Sequence, residues 1–223
     1  MKLYELEWGL YPRRIEIYLA EKGLDGIERV TYDALAEWPP PEVKELSVQG
    51  TLPVLRTPSG ETIGDSGAIL DYLEDRFPEP NLRGMTPLAR ARCREALTVV
   101  DEAALHFVRW CQHASRLFAA AGVDQQPLLG VSSARGYFGK LATLERFARR
   151  AGGEFLAGPQ LTVADCAAMG TLQFADRFYG VPIPDSCPTL VTWYERFSQR
   201  PSATPPSYPP PLHELAMGLR IPA

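Results

Sequence analysis

Gly50-Thr51-Leu52-Pro53-Val54-Leu55, followed by Asp65-Ser66-Gly67-Ala68-Ile69, is the stretch whose reading decides the fold of this chain. A proline inside an apolar run argues against a central strand, because it has no N–H to give to the ladder. Either Pro53 lies on an edge strand, or the Leu52–Pro53 bond is cis and turns the chain just before a strand, leaving the Leu52 backbone groups free. Free N–H and C=O groups on an extended residue pair with an extended peptide ligand as one more strand would. Asp65-Ser66 stands at the start of a predicted helix, where backbone N–H groups are unpaired and the dipole end is positive. Ser66 is there the N-cap, or its Oγ and N–H bind a ligand carboxylate while Asp65 receives an ammonium group. The head of an α-amino acid presents both charges together, so an acid-then-hydroxyl pair at a helix start suits it. Jointly these residues describe a site for a small peptide with a zwitterionic end.

Upstream, Lys2-Leu3-Tyr4-Glu5-Leu6 alternates with period two and reads as a strand. Pro12 suits the first helical position, Ile15, Leu19 and Ala20 form an apolar stripe, and Gly23 is a good C-terminal cap. Arg29–Tyr32 reads as a second strand, so the chain opens on a β-α-β unit. Trp38-Pro39-Pro40-Pro41 is irregular, since consecutive prolines remove donors and fix φ. Leu52–Leu55 and Glu61-Thr62-Ile63 flank Thr57-Pro58-Ser59-Gly60, a hairpin turn in which Pro presets φ and Gly tolerates positive φ. Ile69, Leu70 and Leu73 mark a helix from Asp65-Ser66 to before Pro78.

Beyond Thr86 the strand signals vanish. Cys93, Leu97, Val100, Ala104, Phe107 and Cys111 recur at helical spacing, predicting one long helix from Pro87 to Ala120. Further helices are expected over Ala134–Arg150, Ala164–Tyr179 and Pro188–Gln199, then an extended proline-rich stretch and a short turn at His213–Leu219. Thr162 and Asp165 form a capping box that fixes where a buried helix starts, with Leu161 placed to staple onto Cys166. The expected architecture is α/β plus all-α, with an α/β domain over residues 1–80 and an all-helical domain over 86–223.

Composition narrows the function. The 223 residues carry a net charge of −4 and are 45% hydrophobic and 22% charged. These values exclude a largely disordered chain and leave no basic footprint for nucleic acid or an anionic membrane. No run approaches the roughly 18 apolar residues that span a bilayer, and Glu5 and Glu7 interrupt any apolar leader. A soluble, cytoplasmic protein is expected. Cys93, Cys111, Cys166 and Cys187 show neither C-x-x-C nor zinc spacing, so buried free thiols and no metal are expected.

With these motifs in hand, the chain resembles the glutathione transferase family over nearly its full length. The resemblance rests on Arg13–Gly23, on Gly50–Leu55, on Asp65–Ile69, which looks like the family's acid-serine motif, and on the box at Thr162–Asp165. It implies a thioredoxin-like N-terminal domain of β-α-β-β-β-α type, a helical second domain and a homodimer. It also implies glutathione as co-substrate, held around Thr51, Leu52, Pro53, Asp65 and Ser66. Many members of the family carry Ser or Cys shortly before the arginine-rich helix start. Here that place falls on Gly9, and Tyr11 is the nearest hydroxyl. One atypical branch has a similar Tyr-Pro and lacks the usual residue, a water held by the second domain being thought to polarise the thiol. His106, Trp110 and His113 share one helix face, which either looks into the cleft or is a pair of surface histidines beside a packed Trp. The histidines, about 10 Å apart at the standard rise, are too distant to chelate one metal unaided.

The expected function is detoxifying transfer of the glutathione thiolate to a hydrophobic electrophile. Tyr11 and His113 are the candidate catalytic groups, with His106 and Trp110 lining the electrophile pocket. The alternative is a non-catalytic ligand-binding or protein-association module on the same fold, which Gly9 favours and the Asp65-Ser66 head site opposes.

Overall fold

Strand β1 (Lys2–Glu5) lies at the centre of a sheet ordered β2-β1-β3-β4, formed with β2 (Glu28–Thr31), β3 (Val54–Arg56) and β4 (Thr62–Ile63). The computed structural model describes residues 1–35, 40–152 and 154–219. β1 runs parallel to β2, with Leu3 opposite Arg29, and antiparallel to β3, with Leu3 opposite Leu55. The alternation read in Lys2–Leu6 sends successive side chains to opposite faces. Leu3 and Leu55 join the main core with helices α1 (Leu10–Lys22) and α3 (Ser66–Arg76), while Tyr4 and Val54 pack with Leu46 of α2 (Val43–Leu46). The first region is therefore a thioredoxin-like layer of sheet and helices.

α1 begins at Leu10 rather than Pro12, with Gly9 as an extended N-cap. Pro12 still falls in the first turn, where its missing N–H has no intrahelical partner to lose. Gly23 ends the helix in the left-handed region at φ 69°, which a side chain would resist. The one-turn α2 is too short to leave a periodic signature. In the irregular proline segment, Trp38 and Pro39 lie outside the described residues, while the Pro40 and Pro41 carbonyls accept from Val43 and Lys44.

The helical region comprises α4 (Pro87–Ala114), α5 (Arg116–Ala120), α6 (Pro127–Arg150), α7 (Val163–Gln173), α8 (Pro188–Phe197) and α9 (Pro210–Ala216). The long helix expected to reach Ala120 is interrupted at Ser115 (φ −89°, ψ 148°), whose Oγ accepts from the Phe118 N–H. Serine competes for backbone donors better than it continues a helix. α6 begins at Pro127, seven residues before the expected start, because Leu128 and Leu129 are exposed and give no apolar periodicity. Every residue of α7 is buried, and beyond it Phe174–Phe178 forms a single π-helical turn. Where α7 crosses α1, a Cβ at Gly170 would come 3.0 Å from the Arg14 nitrogen, so the close approach requires glycine.

Two buried carboxylates secure this assembly. Glu74 on α3 accepts from Tyr18, Lys22 and the Leu82 N–H, joining α1, α3 and the chain that leads to α4. Asp165 completes the capping box with Thr162 and also accepts from the Leu156 N–H and Trp193 Nε1. Burial pushes its carboxyl up to about 6, against the pull of these donors. Among the described residues no helix is long and apolar enough to cross a membrane.

Candidate functional site

Between the sheet layer and the helices lies a cavity of about 710 Å³ with two halves. The first is a ledge made from the sheet layer. Thr51, Leu52 and Pro53 form one side and Gly64, Asp65, Ser66 and Gly67 the other. The Leu52–Pro53 bond is cis, and the Leu52 backbone enters no backbone hydrogen bond among the described residues. Opposite it, Asp65 is the N-cap of α3, its Oδ1 accepting from the Ala68 N–H at 2.9 Å. Ser66 is thus the first helical residue and not the cap. Its hydroxyl makes no hydrogen bond to protein among the described residues, although the residue is only 5% exposed. The N–H groups of Ser66 and Gly67 sit in the first helical turn, where no intrahelical carbonyl can reach them. The ledge therefore offers a free extended backbone, a free hydroxyl, the positive end of a helix and a carboxylate within a short span.

The second half is a chamber with mostly apolar walls. Leu6, Gly9 and Tyr11 come from the turn into α1, Asp101, Val108 and Cys111 from α4, Phe118 from α5, and Phe174 and Tyr179 from the π-helical turn and its exit. The Ser115 break carries Phe118 to this wall. The π turn directs Phe174 into the cavity while its ring stacks on Phe178 at 5.1 Å. Tyr179 is wedged edge-on against Phe107 and Phe174. Burial pushes the Cys111 thiol well above its usual range, so it behaves as an apolar wall atom at neutral pH.

Ledge and chamber meet at the start of α1. Gly9 caps that helix without a side chain, and a Cβ there would press on the Leu6 carbonyl oxygen at 3.0 Å. Tyr11 lines the cavity, with the Arg14 guanidinium 5.0 Å from its ring centre. Burial raises the Tyr11 hydroxyl, Arg14 lowers it and the carboxylates of Asp101 and Asp65 raise it, for a net upward shift. Tyr11 is consequently a protonated donor at neutral pH.

The histidine face of α4 does not reach this cavity. Trp110 is fully buried among Phe107, Tyr137 and Phe138. His106 packs on α6, where its ring lies against Gly136 and leaves no room for a Cβ. His113 Nδ1 accepts from the Gln126 N–H at 3.2 Å. The expectation that His106, Trp110 and His113 look into the cleft is corrected: α6 covers that face, and the cleft is met by Asp101, Val108 and Cys111. Arg14, Asp101, Phe118, Phe174 and Tyr179 were missed as site residues. Asp101 and Val108 are seven apart, beside the apolar stripe, which was the signal available. No group of three or more His, Cys, Asp or Glu among the described residues is placed to hold a metal ion.

Comparison with known proteins accords with this geometry. Residues 8–76 match the family description "Glutathione S-transferase, N-terminal domain" and residues 138–203 "Glutathione S-transferase, C-terminal domain". A glutathione S-transferase of Pseudomonas putida is 31% identical over 165 residues, covering 74% of this chain and 70% of that protein. A solved glutathione S-transferase domain-containing protein of Marinobacter aquaeolei is 32% identical with a TM-score of 0.82, covering 92% and 100% of the two chains. The structure of Gtt2 from Saccharomyces cerevisiae is 27% identical with a TM-score of 0.82, covering 91% and 98%. Shorter matches carry other names. A maleylacetoacetate isomerase of Pseudomonas aeruginosa is 37% identical over 45% of this chain and 48% of that protein. A stringent starvation protein A homolog of Coxiella burnetii is 31% identical over 49% and 50%. The sheet layer with its cis-proline ledge, the helical region and these likenesses converge on one assignment: the chain belongs to the glutathione S-transferase family.

Proposed function

We propose that the protein binds glutathione on the ledge and adds its thiolate to a hydrophobic electrophile in the chamber. The observation that carries this reading is that ledge and chamber form one cavity, with the start of α1 at their junction. The Leu52 backbone pairs with the tripeptide backbone. Ser66 and the first N–H groups of α3 receive the γ-glutamyl carboxylate, and Asp65 receives the ammonium. The thiol then lies beside Gly9 and Tyr11. A free thiol is only about 3% ionised at neutral pH, so a donor that favours the thiolate raises the reactive fraction. The Tyr11 hydroxyl, with no other partner among the described residues, is that donor. The thiol proton leaves to solvent, the sulfur lone pair forms the bond to the electrophilic carbon, and the displaced group departs with its electron pair or the carbon takes up a proton.

Residues 1–80 and 86–223 are proposed as the two domains, and a two-fold dimer in the cytoplasm that disposes of electrophiles as the working form. Calorimetry with millimolar glutathione, followed by conjugation of 1-chloro-2,4-dinitrobenzene, tests the reading. Binding with turnover is expected, and the absence of binding heat sinks it. Tyr11→Phe is expected to raise the pKa of the bound thiol by about one unit, read from thiolate absorbance against pH. An identical titration would remove Tyr11 from the role.

A second reading is favoured by Gly9, which supplies neither hydroxyl nor thiol at the helix start. On that reading the fold serves ligand binding or protein association without chemistry. Glutathione binding with no turnover across several electrophiles would select it.

A further inference from the structure

Among the described residues, the side chains lining the cavity carry three formal charges, Arg14 against Asp65 and Asp101. Asp65 belongs to the ledge, so the chamber holds the pair of Arg14 and Asp101. Nη1 of Arg14 lies 2.5 Å from Oδ1 of Asp101, and the two side chains are 1% and 44% exposed. The cation is therefore behind and the carboxylate in front. Arg14 is also anchored independently of the acid, since Nε and Nη2 both donate to Thr171 Oγ1, at 3.3 and 3.1 Å. Thr171 is itself fixed, donating to the Ala167 carbonyl at 2.9 Å. Neutralising Asp101 would leave the guanidinium in place.

We infer that Asp101, paired with Arg14, sets the charge selectivity of the chamber, which admits neutral electrophiles and turns away those bearing a carboxylate. This rests on the glutathione-conjugating reading above. An entering anion meets the exposed carboxylate first, while the positive charge that would receive it is already engaged. Val108, Phe118 and Phe174 line the same cavity with apolar walls, which screen charge less than water does. With residue 101 neutral, the guanidinium has N–H groups left to receive a carboxylate, the partner its planar fork fits best.

Two glutathione conjugates of opposite character at one ring position test this without requiring turnover: S-(2,4-dinitrophenyl)glutathione and S-(4-carboxy-2-nitrophenyl)glutathione. Their dissociation constants are measured by calorimetry on the native protein and on Asp101→Asn and Asp101→Ser, each beside glutathione itself on the same protein. The native protein is expected to bind the conjugate with the uncharged ring about tenfold more tightly than the one whose ring bears the carboxylate, the scale of one charge–charge contact at intermediate dielectric. Either variant is expected to narrow or reverse that ratio by about the same factor. A native ratio near one, or a ratio unchanged in the variants, overturns the inference. The native ratio decides the matter even where a variant does not fold. If glutathione and both conjugates fail to bind the native protein, the glutathione reading falls and the inference with it. That outcome is distinct from glutathione bound without charge preference.

Discussion

On the ledge, Leu52, Pro53, Asp65 and Ser66 come from one short stretch of chain and act largely through backbone groups and a helix end. In the chamber, Tyr11, Asp101, Val108, Phe118, Phe174 and Tyr179 come from distant parts of the sequence and act through side chains held by their neighbours. The contrast separates two kinds of site. A backbone site is made wherever its local conformation is made, whereas a side-chain site exists only once remote helices have docked. The ledge is expected to survive damage to the helical packing better than the chamber does.

The largest expected effect probes that difference. Asp165→Ala leaves the four donors that now meet the buried carboxylate without an acceptor, those of the Leu156 and Thr162 N–H groups, the Thr162 hydroxyl and Trp193 Nε1. A loss of about 3 kcal/mol or more in urea-measured stability is expected from stranded buried donors. The KM for the electrophile should rise, while the dissociation constant of glutathione stays within about twofold. Equal damage to both constants would erase the distinction between ledge and chamber.

Ser66→Ala works from the other side. Loss of a hydrogen bond to a charged group should weaken glutathione by about 1–3 kcal/mol. The preference among electrophiles should not change, since Ser66 touches only the ledge. An unchanged dissociation constant would remove Ser66 from the head site.

The smallest effect concerns the strand that feeds the junction. Burial and the neighbouring Glu16 push the Glu5 carboxyl up to about 8, with Arg29 opposing. The Arg29 Nε lies 3.5 Å from Glu5 and 2.6 Å from Glu16, so one guanidinium serves two acids. The folded state holds a proton there that the unfolded chain releases near the ordinary carboxylate value. Glu5 therefore adds stability that is full at acidic pH and is lost as the pH rises through about 8. A fall of about 1 kcal/mol between pH 7 and 8 is expected, above the range in which Asp165, at about 6, titrates. In Glu5→Gln the fall should vanish, and a slope that persisted would place the titrating group elsewhere.

The order of the sheet layer, the cis-proline bend, the start of α3 and the box at Thr162–Asp165 were legible because each depends on neighbours close in sequence. Pro53 changes its own peptide bond, Asp65 caps the helix that follows it, and Gly23 ends the helix that precedes it. The errors came where the deciding contact was remote. Ser115 breaks the long helix, and the exposed leucines at the start of α6 hid its first turns. His106, Trp110 and His113 share a face as expected, yet periodicity says only that residues share a face and not which neighbour covers it. That neighbour is α6.

The amino-acid sequence by itself determined the ledge, because extended backbone, a helix cap and a proline bend are local consequences of residue type. Only the tertiary structure decided the chamber. Which face of α4 meets the cleft, where the π turn sends Phe174, and that Arg14 of one region finds Asp101 of the other all follow from the docking of α1, α4, α6 and α7. That docking is settled by close packing over the whole interior, and no single segment encodes it.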